Sequence, residues 1–230
     1  MLSRLRGLAV VMGWCVSATA SAGPIKTIQP KRHSRIDRWE IAPRVGAVIN
    51  DPYLRRYLLG AGLSYHPSEI FHVELGGDFS PDLGRADWKP ITVELLEERE
   101  LIASISRWTW SVDASFVFTP FHAKANLFSR IVDLEVYART GAAMIHTEDD
   151  PETFVDPNAA SSQATQSENH PAMIAGGGVR AYLSPNTSLR FEVRSVQYLE
   201  TFNSASIQKK NYAVPSLSAG FLFPTDRADR

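Results

Sequence analysis

Histidines and a group of nearby acids and serines are the residues of this chain whose types could do chemistry. The set near one end of the predicted fold consists of His66, His72, His122, Ser64, Glu69 and Glu74. These types permit a Ser-His-Glu arrangement, in which histidine activates a serine that attacks an ester. Their spacing matches no recognised motif, and hydrogen bonding at turns or inside the fold explains them better. We therefore predict no catalytic residue.

A second candidate lies in an acidic stretch. His146 and His170 flank a segment that contains Glu148, Asp149, Asp150 and Glu152. Carboxylate oxygens are the ligands that Ca²⁺ prefers, but the regular spacing of a calcium-binding loop is missing. A solvated acidic loop is the favoured interpretation. The glycine run 176–178 lies inside a strand pattern, so it does not predict a phosphate-binding loop. We expect neither a metal nor a cofactor.

Composition narrows the class of protein. The chain has 230 residues, 44% of them hydrophobic and 21% charged, with a net charge of −1. These values exclude a wholly disordered chain and a helical membrane protein with many spans, and they give no support to nucleic-acid binding. The one cysteine, Cys15, lies in the predicted leader. The mature chain would then have no disulfide and no thiolate site.

The first residues have the three parts of a secretory signal. Met1–Ala22 begins with two arginines, continues with an apolar run over 8–16 and ends Ala-Ser-Ala, which suits a cleavage site. Residues 23–38 follow as a basic arm with five Lys or Arg residues and two prolines. We expect a solvated periplasmic linker, whose charge could also contact an anionic membrane or cell-wall polymer.

From residue 39 onward the hydrophobic pattern has a period of two. In one segment Phe71, Val73 and Leu75 alternate with His72 and Glu74. The eight such segments are 39–47, 57–65, 71–79, 108–118, 132–138, 173–183, 189–193 and 217–223. This alternation predicts eight strands, each with one apolar face. The only notable helical candidate is 92–104.

The connections between these segments differ in length. We expect long loops at 80–106 and 146–170, an intermediate one at 200–211, and short or moderate connections that include residues 120–126. Short turns at one end and longer loops at the other are typical of an outer-membrane barrel. An even number of strands places both termini on the short-turn side, which is the periplasm.

Aromatic residues indicate which face meets lipid. They cluster at both ends of the apolar face, as Tyr57, Phe79, Trp108 and Trp110 at the long-loop end, and as Trp39, Tyr65, Phe71, Phe118, Phe221 and Phe223 at the short-turn end. Two interfacial girdles explain this distribution. The ten residues from Trp108 to Phe118 extend ~33 Å, which at a tilt of ~40° covers an apolar band about 25 Å high.

The opposite face would line the lumen. It carries seven acids (Glu40, Glu74, Asp78, Asp113, Asp133, Glu135 and Glu192) and five arginines (Arg44, Arg139, Arg180, Arg190 and Arg194). These charges can pair and fill a narrow barrel. We therefore predict an all-β fold, an eight-stranded antiparallel up-and-down transmembrane β-barrel over 39–223, followed by a periplasmic tail at 224–230.

A likeness to a known family adds to this reasoning. Asn50-Asp51-Pro52-Tyr53, the glycine-rich segment 60–66 that ends Tyr-His, and Glu69 resemble the outer-membrane β-barrel domain family of myxobacteria and related bacteria. The resemblance implies an eight-stranded barrel in the outer membrane, with no catalytic or ligand residue to transfer.

The function that we expect is that of a small outer-membrane barrel with a largely filled lumen and a structural or loop-mediated role in the cell envelope. Expected partners are outer-membrane lipids and lipopolysaccharide, the assembly machinery through the aromatic C-terminal strand, and an extracellular partner at loops 80–106 and 146–170. Three alternatives remain open at this point. They are a lipid-modifying enzyme, a water-soluble lipocalin-like carrier with an apolar interior, and a narrow pore.

Overall fold

The structure is a computed structural model that describes residues 35–94, 106–127, 130–149, 166–202 and 206–224. The predicted signal peptide and most of the basic arm lie outside the described residues, as does the tail beyond 224. No helix in these described ranges is long and apolar enough to cross a membrane.

Eight antiparallel strands form a closed barrel in sequence order, and β8 pairs with β1. The strands are β1 (Arg38–Val48), β2 (Arg56–His66), β3 (Phe71–Phe79), β4 (Ser106–Leu127), β5 (Arg130–Asp149), β6 (Gln166–Ser184), β7 (Thr187–Phe202) and β8 (Ser206–Pro224). A short 3-10 helix (Gly84–Asp87) and α1 (Pro90–Val93) follow β3. The predicted eight-stranded up-and-down fold is confirmed.

The apolar face points outward. Side chains such as Phe116 and Met173 are 71% and 70% exposed, while the alternate positions are buried in the lumen. All twelve charged residues predicted for the lumen are buried. This inside-out arrangement is that of a membrane barrel, because a soluble carrier would bury its apolar face instead.

The register fixes the size of the barrel. From Glu40 of β1, successive paired residues lead around the seven ladders to Tyr212 of β8. The closing ladder pairs Gly46 with Ser216. Four residues further toward the extracellular end on both strands, Asn50 therefore lies opposite Tyr212. The circuit therefore returns ten residues along β1, from 40 to 50. For eight strands this shear gives a tilt of about 40° and a radius of roughly 8 Å, which side chains can fill.

One predicted girdle residue faces the wrong way for its role. A β-bulge between Trp108 and Trp110 shifts the register of β4 against β5. Because one extra residue reverses the alternation, Trp108 turns into the barrel and is only 2% exposed, whereas Trp110 remains outside. The prediction that Trp108 faces lipid is wrong. The extracellular girdle is Tyr57, Phe79 and Trp110, and the other predicted girdle residues do face outward.

Several predicted connections are parts of strands. Residues 120–126 extend β4 into a ribbon with β5 below the barrel, after a second register shift between Phe118 and Phe121. Residues 146–149 and 166–170 continue β5 and β6 as a paired ladder, and β7 and β8 pair as far as Phe202 and Ser206. The predicted loops 146–170 and 200–211 are therefore too long, since cross-strand pairing continues past the ends of the predicted strands. Of the helical candidate 92–104, α1 covers only its start, and 95–104 lies outside the described residues.

The contact between β1 and β8 is the seam of the barrel, and two prolines weaken its ladder. The Ile49 N–H donates to Ala213 O at 3.1 Å, so alternate residues of each strand direct their amides across the seam. Pro43 and Pro215 occupy such positions by register, and proline has no N–H to donate. The ladder accordingly lacks pairing around residues 42–43.

Candidate functional site

The lumen of the described barrel contains many buried charged side chains, and its centre is an ion network. The central network is contributed by five strands and consists of Arg44, Glu74, Asp78, Asp113, Arg139, Glu192 and Arg194. Arg44 donates to both oxygens of Asp78, at 2.7 and 2.9 Å, and to Asp113 at 2.8 Å. Arg139 donates to Asp113 at 2.7 Å and to Glu192 at 2.9 Å. Each charge therefore has several partners, which buried ions require.

A second group of charges closes the periplasmic end. The periplasmic network joins Glu40 to Arg190 at 2.6 Å, to Arg180 at 3.5 Å and to His66 at 2.9 Å. Arg35, the first described residue of the basic arm, is also buried here and pairs with Glu135 at 3.1 Å. The expectation of a solvated arm is therefore wrong at Arg35, because this side chain closes the mouth of the barrel.

Inward-facing glycines provide the space that these charges occupy. A Cβ at Gly76 would lie 2.5 Å from Asp113 Oδ2 and 2.7 Å from Arg44 Nη2. A Cβ at Gly178 would lie 2.8 Å from the Tyr137 hydroxyl. At Gly178 of the β6 glycine run, the Tyr137 side chain and the Phe191 backbone oxygen leave no room for a side chain, as expected for glycine next to a bulky neighbour.

Apolar side chains fill the extracellular part of the lumen. The apolar cluster consists of Val48, Leu58, Trp108, Ile145, Ala172, Ile174, Val196, Tyr198, Tyr212 and Val214. The Trp108 and Tyr212 rings lie 6.1 Å apart, and the Arg56 guanidinium lies 5.1 Å from the Tyr212 ring centre. Sequence reasoning missed this cluster. Its signal was available, since Leu58, Val196 and their neighbours place apolar residues on the otherwise charged face.

Two loop segments pack over this end of the barrel and form the extracellular cap, residues 49–55 and 80–94. Asp51 Oδ1 accepts the backbone N–H groups of Tyr53 and Leu54 at 2.9 and 3.0 Å. Its second oxygen pairs with Arg56 at 2.7 Å. The Lys89 N–H donates to Tyr53 O at 3.0 Å, which joins the two segments. Asp51 of the Asn-Asp pair noted in the sequence thus organises the cap, whereas Asn50 hydrogen-bonds to the backbone of Asn211 and Ala213 in β8.

One exposed acid of the cap is also held in its charged form. The Asp82 carboxylate is partly buried, and burial alone would raise its pKa. The Gly84 N–H, 2.7 Å away, and the ion pair with Arg107 outweigh burial and lower this pKa.

Comparison with known proteins gives matches to outer-membrane β-barrels. The sequence profile of the OmpA-like transmembrane domain matches residues 122–226. The N-terminal β-barrel domain of Pseudomonas aeruginosa OprF has a similar fold, with a TM-score of 0.50 and 13% identity over 82% of this chain and 98% of that one. This chain is a small outer-membrane β-barrel.

Other solved barrels resemble this outer-membrane protein less closely. Neisserial surface protein A gives a TM-score of 0.47 at 13% identity, covering 82% of this chain and 97% of that one. Ail of Yersinia pestis gives 0.40 at 13% identity, covering 82% and 99%. Comparison with curated protein sequences gives no significant match.

The barrel brings two of the candidate histidines together but assembles no nucleophile and base. The rings of His66 and His72 are 4.4 Å apart. Ser64 Oγ donates to Glu74 at 3.0 Å rather than to a histidine, and it is buried in the lumen. His122 lies on the periplasmic ribbon and faces Glu135 at 3.1 Å. Ser64, His66 and His122 instead contact the buried carboxylates Glu74, Glu40 and Glu135.

The second candidate pair is separated by the barrel wall. His146 stacks on Trp110 outside, with ring centres 5.1 Å apart, while His170 faces inward and stacks on Tyr198 at 5.2 Å. Within the described ranges, no three His, Cys, Asp or Glu side chains are grouped to hold a metal ion. Residues 150 and 152 lie outside the described residues.

Proposed function

We propose that this outer-membrane barrel neither conducts solutes nor catalyses a reaction, and that it presents a folded extracellular surface to partners while it stabilises the membrane. The likeness of residues 50–69 to the barrel family of myxobacteria and related bacteria supports an eight-stranded barrel in the outer membrane and carries no activity with it. The observation that carries the proposal is the filled lumen, where two ion networks lie beneath an apolar cluster and a loop cap.

The stacking of these layers argues against a narrow pore. A conducting pathway needs polar groups that water can reach along its whole length. Here the apolar cluster covers the extracellular side of the central network, and Arg35 covers the periplasmic side. A lipid-modifying enzyme is equally disfavoured, because Ser64 is inaccessible and hydrogen-bonded to a carboxylate.

The proposed partners follow from the exposed parts of the barrel. Outer-membrane lipids and lipopolysaccharide would contact its outer face. The assembly machinery would recognise the C-terminal strand, which ends Phe221-Leu222-Phe223. Extracellular partners would bind loops 80–106 and 146–170, the first of which contributes residues 80–94 to the cap.

Two measurements test the proposal. The purified protein in planar lipid bilayers should give no discrete conductance, with a porin as the positive control, and steady single-channel currents would overturn the closed lumen. On intact cells, added protease should cleave only within 80–106 or 150–165. Recovery in the soluble periplasm, or cleavage only after the membrane is broken, would overturn the location or the orientation.

The two roles can be separated in a strain that lacks the protein. We expect wild-type protein to restore resistance to detergent. A variant without residues 152–163 leaves the sequence of all eight strands unchanged and removes most of segment 150–165. Full restoration by this variant indicates a structural role of the barrel, whereas failure with normal surface levels indicates that the loop binds the partner.

A further inference from the structure

The outer face of β6–β8 differs from the rest of the barrel at its extracellular end. On β2–β4 this level carries the three rings of the extracellular girdle. On β6, β7 and β8 the outward row of cross-strand partners is Met173, Gln197 and Asn211. In the row above, Leu199 is paired with Lys209. Amides and a lysine thus replace the aromatic girdle in this sector.

Met173, Gln197, Leu199 and Lys209 line a groove of about 400 Å³ on the outer surface. Asn211 lies beside this groove, as the cross-strand partner of Gln197. Its apolar walls include Pro171, Met173 and Leu199, of which the last two are 70% and 60% exposed. Gln197 and Lys209 complete the lining. The volume lies at the lower end of the range for small-molecule sites, roughly 300–1,000 Å³.

The polar groups beside the groove are arranged by hydrogen bonds. Ser195 Oγ donates to Asn211 Oδ1 at 2.9 Å, and Gln197 Nε2 donates to Ser195 Oγ at 3.2 Å. Asn50 Nδ2 donates to the Asn211 carbonyl at 2.7 Å. Among the described residues Lys209 makes no ion pair and Asn211 Nδ2 no hydrogen bond. A cationic and an amide donor therefore remain for a ligand next to apolar walls.

We propose that this groove binds the lipid A part of lipopolysaccharide. An acyl chain would lie along Met173 and Leu199, a glucosamine phosphate would pair with Lys209, and amide-linked acyl groups would hydrogen-bond to Gln197 and Asn211. Charge complementarity supports this occupant, because lipid A carries phosphate. Glycerophospholipids share the phosphate, but their acyl chains are ester-linked, so they lack the amide-linked acyl groups that Gln197 and Asn211 would meet. The proposal rests on the orientation given under Proposed function, which places the groove in the outer leaflet.

The test is a binding titration of the mature protein in lipopolysaccharide-free micelles. The probes are lipid A, dephosphorylated lipid A, phosphatidylglycerol and inorganic phosphate. We expect saturable binding of lipid A, weakened about five- to tenfold by Lys209→Gln or by Asn211→Leu, because each change removes one hydrogen bond or ion pair. Lys124→Gln, on the ribbon at the opposite end, is the matched control and should leave the affinity unchanged. Heat modifiability on gels checks that each variant is folded.

The outcomes decide between ligand sources. Equal affinity of wild type and Lys209→Gln overturns the site, and equally tight binding of phosphatidylglycerol overturns the choice of lipid A. Competition by inorganic phosphate alone would show a free-anion site and would also overturn it. If the wild-type protein does not bind lipid A but is found at the cell surface, the groove proposal is overturned and the proposed function stands. A reversed orientation in the protease experiment would overturn both.

Discussion

Removal of the charge of Glu74 tests the central network most directly. This buried carboxylate accepts from Arg190 at 2.7 Å, from Arg139 at 3.3 Å, from Arg44 at 3.4 Å and from the Ser64 hydroxyl at 3.0 Å. Glu74→Gln keeps the shape but leaves three arginines around a neutral amide. Loss of one partner from a buried ion pair costs about 3–5 kcal/mol, so we expect the free energy of unfolding to fall by that amount.

The assay is urea unfolding of the refolded barrel, followed by tryptophan fluorescence and extrapolated to zero denaturant. Glu168→Gln is the control, because its side chain is 53% exposed and the change should stay within about 0.5 kcal/mol. The double variant with Arg190→Gln should lose less than the sum of the two single losses, by at least about 1 kcal/mol. A single loss below about 1 kcal/mol, or strict additivity of the two, would refute the coupled network.

Three further predictions concern faces, space and the cap. In single-tryptophan variants, brominated lipids should quench the fluorescence of Trp110 but not that of Trp108, and equal quenching of the two would contradict the bulge. Trp108→Ala should lower the free energy of unfolding by about 3–5 kcal/mol, because it opens a cavity. Gly178→Ala should destabilise the barrel by about 1–3 kcal/mol through overpacking, while Gly77→Ala, whose new Cβ would have 3.5 Å of space, should not; urea titration separates the two. Asp51→Ala should lower the free energy of unfolding by about 3 kcal/mol, because two backbone donors and a buried arginine lose their partner. Protease cleavage of the cap on intact cells should also become faster. Unchanged cleavage would mean that other contacts hold the cap.

The alternation of residue types was sufficient to predict the barrel and its inverted faces. Phe71–Phe79 shows why, because every second side chain is apolar and the others are charged or small. In a membrane such a pattern has one stable solution, since one face must meet lipid and the other must pair its charges. The charged lumen residues were identified for the same reason.

Features that depend on a single extra residue or on distant partners could not be predicted. The bulge beside Trp108 leaves no local signal, because a shift of one residue keeps the hydrophobic pattern on either side. The burial of Arg35 depends on Glu135, which lies a hundred residues away in sequence. The extracellular cap depends in the same way on contacts between loops that the hydrophobic period does not describe.

The two prolines of the seam have a consequence for assembly. The backbone ladder between β1 and β8 is interrupted at residues 42–43. Glu40 of β1 also contacts Arg190 and Ser188 of β7, the strand next to β8. These contacts form only when the last strand arrives in the correct register. A slip of one residue would turn the β1 charges toward lipid, and a slip of two would move Glu40 by about 7 Å along the strand, away from both partners. The buried charges therefore favour closure in the correct register. Only a barrel with the correct offset between its first and last strands pairs these charges.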